Sequence, residues 1–294
     1  MFQQITVPVE RPNVALYTDI VYTNYIDDIG CHNTPLKLNL IHAKNPFGPM
    51  EKLPCLVWAE GGAWRLSSPA LRIPELCYYA YHGYAVANVQ YAVSTEKSWP
   101  TPVENIQTAV RYLKTHADAL GIDPEKICLA GESAGAHLVS VAALTGGTEL
   151  FKTKEWSEAD SRVQGCISWY GPGSIEVDLK KRGAFERSLF MVDPEGELVH
   201  ADLLQHPEKI PPLDPMHYVT PDAPPFLFFH GDADNLIHAS AGKALYDRLT
   251  ENGVAADFYL IEGASHATVE FSQPAVQQRM LAFLDKQLKT EKER

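Results

Sequence analysis

The regular alternation of apolar, strand-like runs with amphipathic helical patterns constrains the fold of this chain more than any other feature. Runs rich in β-branched and aromatic residues predict strands at 14–22, 36–43, 53–59, 84–91, 126–130, 163–170, 226–230 and 257–261. From the third run onward, helical patterns alternate with the strands, most clearly at 102–120, 134–144, 239–251 and 274–288. Successive β-α units place parallel strands side by side with helices on both faces. The order therefore predicts an α/β fold with a mostly parallel central sheet.

A proline-rich stretch interrupts this alternation between two predicted strands. Residues 171–225 contain nine prolines, and long excursions of this kind commonly form lids or binding loops. A surface decoration that touches no ligand is the alternative. Because α/β domains often use 200 to 300 residues on one sheet, we expect residues 1–294 to form a single domain with a lid-like or cap-like insertion at about 172–224.

Composition and charge exclude several classes of partner. The net charge is −12, and the longest basic cluster is Lys180-Lys181-Arg182, which disfavours nucleic acid. The amino-terminal residues lack the pattern of a secretory signal, and no apolar run reaches membrane-spanning length. The five cysteines form no C-x-x-C pair, as expected of free thiols in a reducing compartment. We expect a cytoplasmic protein that acts on a small molecule, without membrane association.

A nucleophile motif lies between a predicted strand and a predicted helix. Gly131-Glu132-Ser133-Ala134-Gly135 has the pattern G-x-S-x-G, which carries weight only in this strand-turn-helix context. A serine at the tip of so tight a turn has a strained backbone, and side chains two residues away on either side would collide. The following helix directs its first N–H groups, including that of Ala134, at an oxyanion forming on a substrate. The motif predicts Ser133 as a nucleophile.

A second loop provides small residues where a backbone must approach a substrate oxygen. Glu60-Gly61-Gly62-Ala63-Trp64 directly follows the predicted strand at 53–59. We expect the N–H groups of Gly62 and Ala63 to form an oxyanion hole together with that of Ala134.

This loop resembles the His-Gly-Gly-Gly-Trp segment of carboxylesterases related to hormone-sensitive lipase and to the bifunctional feruloyl and acetyl-xylan esterases. The resemblance extends over nearly the whole chain and implies an α/β-hydrolase fold, no cofactor or metal, and hydrolysis of short-acyl esters, with acetylated or feruloylated carbohydrates as a candidate class. Ala63 replaces a glycine of the family pattern, and Glu60 replaces its histidine. Because a carboxylate facing an oxyanion would repel it, we expect Glu60 to point away, paired with Arg65 or Arg72.

The resemblance also implies the position of the triad acid, just beyond the His-Gly that closes a strand. Asp234 fits that position, and Asp232 is its rival. The base must lie on a loop after the last core strand, where His266 meets the requirement in Glu262-Gly-Ala-Ser-His. His137, one helical turn after Ser133, is expected to pack beneath the turn, and His238 is a distant second candidate for the base.

Other readings remain open at this stage. His230-x-Asp232-x-Asp234 could supply metal ligands, although no partner cluster such as H-E-x-x-H is present. An amidase of the kynurenine-formamidase type, or a non-catalytic binding protein on the same fold, would also fit. Trp64, Trp99 and Tyr170 are candidates for a substrate pocket, although aromatic residues near strand ends also form core. The oligomeric state is not readable from the sequence.

Overall fold

One mixed sheet forms the centre of the molecule. The computed structural model describes residues 1–43, 51–182 and 193–290. Its strands are β1 (Val14–Ile26), β2 (Asn33–Ala43), β3 (Leu53–Ala59), β4 (Ala85–Val89), β5 (Ile122–Glu132), β6 (Gly165–Trp169), β7 (Phe226–Gly231) and β8 (Ala256–Ile261). They form an eight-stranded sheet in the order β1-β2-β4-β3-β5-β6-β7-β8. Pairing is antiparallel at β1/β2 and β2/β4 and parallel between the other neighbours. The predicted mostly parallel α/β fold is confirmed.

Helices connect the parallel strands. They are α1 (Ile73–Tyr81), α2 (Thr101–Thr115), α3 (Ala117–Leu120), α4 (Ala134–Thr145), α5 (Ile175–Lys181), α6 (Pro194–Glu197), α7 (Ala239–Glu251) and α8 (Pro274–Leu288). The prediction of a single helix over 102–120 is wrong in one respect, because the helix is interrupted at His116, which separates α2 from α3. It ends, as predicted, at Gly121, whose left-handed φ of 64° suits a glycine. Among the described residues, no helix combines the length and apolar character that crossing a bilayer requires.

The central strands of the sheet are buried on both faces. Along β3, Val57 packs into one apolar cluster and Trp58 into the other. Leu129 and Ala130 divide in the same way along β5. Because successive side chains of a strand point to opposite faces, a strand covered on both sides reads as a continuous apolar run. This burial fixes the positions of the carboxyl ends of the parallel strands, and the loops that follow those ends carry the residues of the candidate site.

The proline-rich insertion lies between β6 and β7. Its described part consists of α5, α6 and short 3₁₀ turns at Pro207–Lys209 and Pro215–Tyr218. Arg182 joins α5 to α6 through a buried ion cluster: Nη2 lies 2.6 Å from Asp178 Oδ2, and Nη1 lies 3.0 Å from Glu195 Oε2. The insertion is therefore internally cross-linked by charge.

Candidate active site

Ser133 occupies the sharp turn between β5 and α4. Its backbone is strained, at φ 52° and ψ −122°, a conformation that non-glycine residues rarely adopt. The flanking glycines are a steric necessity. A Cβ atom at Gly131 would lie 2.8 Å from the carbonyl oxygen of Ala59, and one at Gly135 only 2.2 Å from the same oxygen. The turn therefore fits against the end of β3 only without those side chains.

His266 bridges Ser133 and Asp234. Its Nε2 atom lies 3.0 Å from Ser133 Oγ, and its Nδ1 atom lies 2.9 Å from Asp234 Oδ2. An ionised carboxylate can only accept hydrogen bonds, so the imidazole carries its proton on Nδ1. Nε2 is then free to accept the serine hydroxyl proton. The three residues predicted at distant points of the sequence meet in one hydrogen-bonded chain.

Asp234 is completely enclosed and firmly oriented. Its Oδ1 accepts the main-chain N–H groups of Leu236 and Ile237, each at 3.0 Å, while Oδ2 also lies 3.4 Å from His230 Nε2. Burial alone would raise the pKa of Asp234, but hydrogen bonds from His230 and His266 outweigh it and hold that pKa below its usual range. The acid therefore stays ionised. His230, the histidine of the His-Gly pair, therefore supports Asp234, a role that the sequence analysis does not predict.

Asp232, the rival acid, is directed elsewhere. Its Oδ1 accepts the main-chain N–H of Gly263 at 2.7 Å, which ties the turn after β7 to the turn after β8.

His230, the first residue of the possible metal-ligand pattern, is bonded through Nε2 to the carbonyl oxygen of Ile237 at 2.9 Å. In the described ranges no three His, Cys, Asp or Glu side chains are grouped so as to hold a metal ion.

The glycine-containing loop after β3 passes directly against Ser133. A Cβ atom at Gly61 would lie 3.1 Å from Ser133 Cβ. The loop then turns through three left-handed residues, Gly62 at φ 143°, Ala63 at φ 51° and Trp64 at φ 57°. On the other side of Ser133, Ala134 is the first residue of α4, where helical N–H groups have no carbonyl partner in the preceding turn. The three predicted oxyanion donors thus belong to the two segments that flank Ser133.

Glu60 is buried at the start of this loop, with 1% of its surface exposed. Its Oε1 accepts the Asn88 amide at 2.6 Å and the main-chain N–H of Arg72 at 2.9 Å. The predicted ion pair of Glu60 with Arg65 or Arg72 is wrong. The Arg72 guanidinium instead forms a bidentate ion pair with Glu132, with Nε 3.0 Å from Oε1 and Nη2 2.6 Å from Oε2. Arg65 forms an ion pair with Glu197 of the insertion.

The three aromatic pocket candidates differ in exposure. Trp64 and Tyr170 are 2% and 1% exposed, so almost none of their surface is open to a substrate. The Tyr170 hydroxyl donates to Glu132, and its ring meets the His266 ring edge to face, with centroids 4.8 Å apart. Trp99 is only partly buried, so among the three aromatic candidates it keeps side-chain surface accessible to a substrate.

His137 packs beneath the turn, as expected. Its Nδ1 accepts the indole N–H of Trp64 at 3.2 Å, and its Nε2 donates to the carbonyl oxygen of Leu213 at 2.7 Å. Burial lowers the pKa of His137 to about 4, so the ring is neutral near pH 7. It supports Trp64 from below the loop.

The insertion is bonded to three segments around the site: α4, the chain after β3 and the loop after β7. Leu213 holds His137 of α4, and Glu197 holds Arg65 beyond the loop after β3. Asp178 Oδ1 accepts the main-chain N–H of His238, four residues beyond the acid, at 3.0 Å. His238 therefore anchors the acid loop through its backbone.

A parallel sheet with a strained serine turn after β5, an acid after β7 and a histidine after β8 is the arrangement of the α/β-hydrolase fold. Within that fold class, the chain belongs to the BD-FAE family, whose model matches residues 44–249.

Curated relatives are esterases in name. The chain is 30% identical over 220 residues to esterase LipC of Mycobacterium tuberculosis, covering 74% of this chain and 54% of LipC. It is 27% identical over 246 residues to a probable isoprenylcysteine alpha-carbonyl methylesterase of Arabidopsis thaliana, covering 81% of this chain and 50% of that protein. The chain thus spans about half the length of these curated relatives.

Solved structures match the fold closely. A truncated carbohydrate esterase from gut microbiota superposes with a TM-score of 0.78 at 23% identity, over 96% of this chain and 99% of that one. The propionate-bound esterase 2 of Thermogutta terrifontis has a TM-score of 0.70 at 24% identity, over 96% of each chain. At these identities the likeness establishes a shared fold.

Proposed function

We propose that this protein is a serine hydrolase that cleaves short-acyl carboxylic esters through an acyl-enzyme at Ser133. The observation that carries the proposal is the hydrogen-bonded chain from Ser133 Oγ through the His266 ring to the buried Asp234 carboxylate. Family membership and relatives named as esterases support the choice of esters as substrates.

The chemistry follows from where the protons can go. His266 Nε2 takes the hydroxyl proton as Ser133 Oγ bonds to the ester carbonyl carbon, and the charge moves to the carbonyl oxygen. Asp234 stabilises the resulting imidazolium. Collapse of the tetrahedral intermediate breaks the bond to the alcohol, which leaves with the proton from His266. Water then repeats the two steps on the acyl-enzyme, releasing the carboxylic acid and restoring Ser133.

The developing oxyanion needs donors that are already in place. We assign this task to the N–H groups of Gly62, Ala63 and Ala134, because the loop after β3 and the start of α4 lie on either side of Ser133. A single such donor contributes on the order of 10²- to 10³-fold in rate. The positive φ of Ala63 is unfavourable for a residue with a side chain, as expected where the loop must hold its N–H groups in one orientation.

For the natural substrate we propose acetylated or feruloylated carbohydrates. The support is the BD-FAE family match and the fold shared with a protein described as a carbohydrate esterase. Trp99 is our candidate for contact with the substrate, since it keeps exposed surface where Trp64 and Tyr170 do not.

The test is a panel of p-nitrophenyl esters of increasing acyl length, followed by acetylated xylo-oligosaccharides. We expect highest kcat/KM for acetyl and propionyl esters and a loss of at least about 10³-fold in Ser133→Ala. The exposed Ser157→Ala is the matched control and should turn over like the wild type. Hydrolysis of aryl formamides with no ester turnover would contradict the proposal and assign the site to amides.

A further inference from the structure

Two buried polar atoms at the base of the loop after β3 lack a hydrogen-bond partner among the described residues. They are Glu60 Oε2 and Asn88 Oδ1. Their side chains are 1% and 0% exposed, so bulk water does not supply the missing bonds. The two residues already contact each other, since Asn88 Nδ2 donates to Glu60 Oε1 at 2.6 Å.

One proton would satisfy both atoms. An ionised carboxylate and an amide carbonyl are both acceptors, so they cannot bond to each other, and leaving both unpaired in the interior is costly. A protonated carboxyl group gains one O–H donor while its other oxygen remains an acceptor. Glu60 Oε2–H can then donate to Asn88 Oδ1 while Asn88 Nδ2 donates to Glu60 Oε1. With that proton in place, the acid and the amide would close a ring of two hydrogen bonds, of which the structure shows the one from Asn88 Nδ2.

Burial and the nearby Glu132 favour the neutral form of Glu60. Directly before α1, Arg72 offers its main-chain N–H, while its guanidinium is engaged by Glu132 and lies 3.6 Å from Glu75. From the end of β5, Glu132 adds negative charge, and beyond β4 the Tyr91 hydroxyl donates to the Glu60 main-chain oxygen at 2.9 Å. Burial and the nearby Glu132 raise the pKa of Glu60 to about 7, against the lowering effect of the Asn88 and Arg72 N–H bonds and of the Arg72 charge.

We propose that Glu60 is a neutral carboxylic acid in the active protein, and that the Glu60–Asn88 ring is a positioning pair which fixes the oxyanion loop at its first residue. This inference rests on the proposed function. Glu60 precedes Gly61 and the donors Gly62 and Ala63 directly, so its side chain sets where the loop leaves β3. Loss of the proton removes one of the two hydrogen bonds and places a charge beneath the loop.

The pH dependence has a defined sign. A carboxyl group whose pKa is higher in the folded than in the unfolded protein contributes fully to stability at low pH. That contribution is lost as the pH rises through the folded pKa. We therefore expect stability to decline between about pH 4.5, the ordinary pKa of a glutamic acid, and about pH 7, whereas kcat should decline from about pH 7 upward as the folded group ionises, opposite to the acid limb that a histidine base produces.

The decisive variant is Glu60→Gln, whose amide keeps the acceptor and the donor of the neutral acid but does not titrate. Melting temperature and kcat for p-nitrophenyl acetate are measured from pH 5 to 9.5. At pH 6 the variant should match the wild type within about twofold, and by pH 9 its kcat should exceed that of the wild type by at least about fivefold, with little change in KM. Its melting temperature should exceed that of the wild type by an amount that grows from about pH 5 and levels off above about pH 8, where Glu60 is ionised in both the folded and the unfolded wild type. The exposed Glu158→Gln is the control and should follow the wild type.

Infrared spectroscopy reads the proton directly. A carbonyl band of a protonated carboxylic acid should be present at pH 6, vanish by pH 9, and be missing in Glu60→Gln. Asn88→Ala, which removes the partner, should lower kcat throughout the pH range.

Parallel pH profiles in Glu60→Gln and wild type, or the absence of a band that depends on Glu60, would overturn the inference. So would a Glu60→Gln enzyme as impaired at pH 6 as at pH 9, because a carboxylate would then be required. A protein without esterase activity that still has the band would refute the proposed function and leave the protonated pair standing.

Discussion

Replacing Arg182 by methionine should strongly destabilise the fold. Its guanidinium is 3% exposed and holds Asp178 and Glu195, whose side chains are 1% and 2% exposed. Methionine fills much of the same volume but leaves two enclosed carboxylates without a cation. Breaking a buried ion pair in this way costs about 3–5 kcal/mol. At roughly 2–4 °C per kcal/mol for a domain approaching this size, the melting temperature should fall by about 6–20 °C.

The deficit of Arg182→Met should depend on pH. Burial and the nearby Glu195 raise the pKa of Asp178, while Arg182 lowers it. Without the guanidinium that pKa rises further above its unfolded value. Stability is then lost as the pH rises through the folded pKa, so the difference from wild type should be largest at pH 7–8 and shrink as the pH falls toward 4.

Lys180→Met is the matched control. Lys180 pairs with Glu176 across the same spacing in the same helix, but these side chains are 72% and 56% exposed. An exposed pair contributes at most about 1 kcal/mol. Differential scanning calorimetry of both variants across pH decides the matter. The reasoning fails if Arg182→Met melts within 2 °C (roughly 1 kcal/mol) of wild type, or if its deficit grows as the pH is lowered.

Two further pairs of substitutions test the site. Asp234→Asn should lower kcat by about 10⁴-fold, because an amide does not fix the tautomer of the base. The kcat of Asp232→Asn should stay within about tenfold of the wild type. Steady-state rates that rank the two variants in reverse would exchange the roles of the two residues. Gly135→Ala should abolish activity and lower the melting temperature, because its Cβ would lie 2.2 Å from the Ala59 carbonyl oxygen. Gly147→Ala, whose nearest neighbour is a flexible arginine side chain at 3.1 Å, should be tolerated, and equal effects of the two changes would contradict the steric argument.

The sequence predicted those elements whose stability is local or whose burial is simple. The helices at 239–251 and 274–288 have the predicted bounds, because apolar spacing determines which face packs on the sheet. β1 runs four residues beyond its predicted end at Tyr22, through Thr23, Asn24, Tyr25 and Ile26, which pair with β2 across a hairpin. α1 was missed entirely. It is nine residues long and rich in aromatics, and its buried Leu76, Tyr79 and Ala80 give too short a pattern to distinguish helix from strand.

The same distinction between local and long-range contacts applies to the candidate site. The serine turn was predictable because its glycines and its strand-to-helix context express a local steric requirement. The partners of Glu60 were not predictable, since Asn88 comes from a neighbouring strand and Arg72 contacts it with a main-chain N–H. The contact between Arg72 and Glu132 likewise joins residues 60 positions apart. Contacts of this kind depend on the assembled sheet, and no spacing rule in a single sequence encodes them.

Covalent labelling with a fluorophosphonate, followed by peptide mass spectrometry, tests the central claim most directly. The reagent phosphonylates a serine hydroxyl only where a base and an oxyanion site activate it. We expect one adduct per chain, on Ser133, formed at a rate that falls by orders of magnitude in His266→Ala. An unlabelled Ser133 in an active enzyme, or labelling at the same rate without the imidazole, would contradict the account.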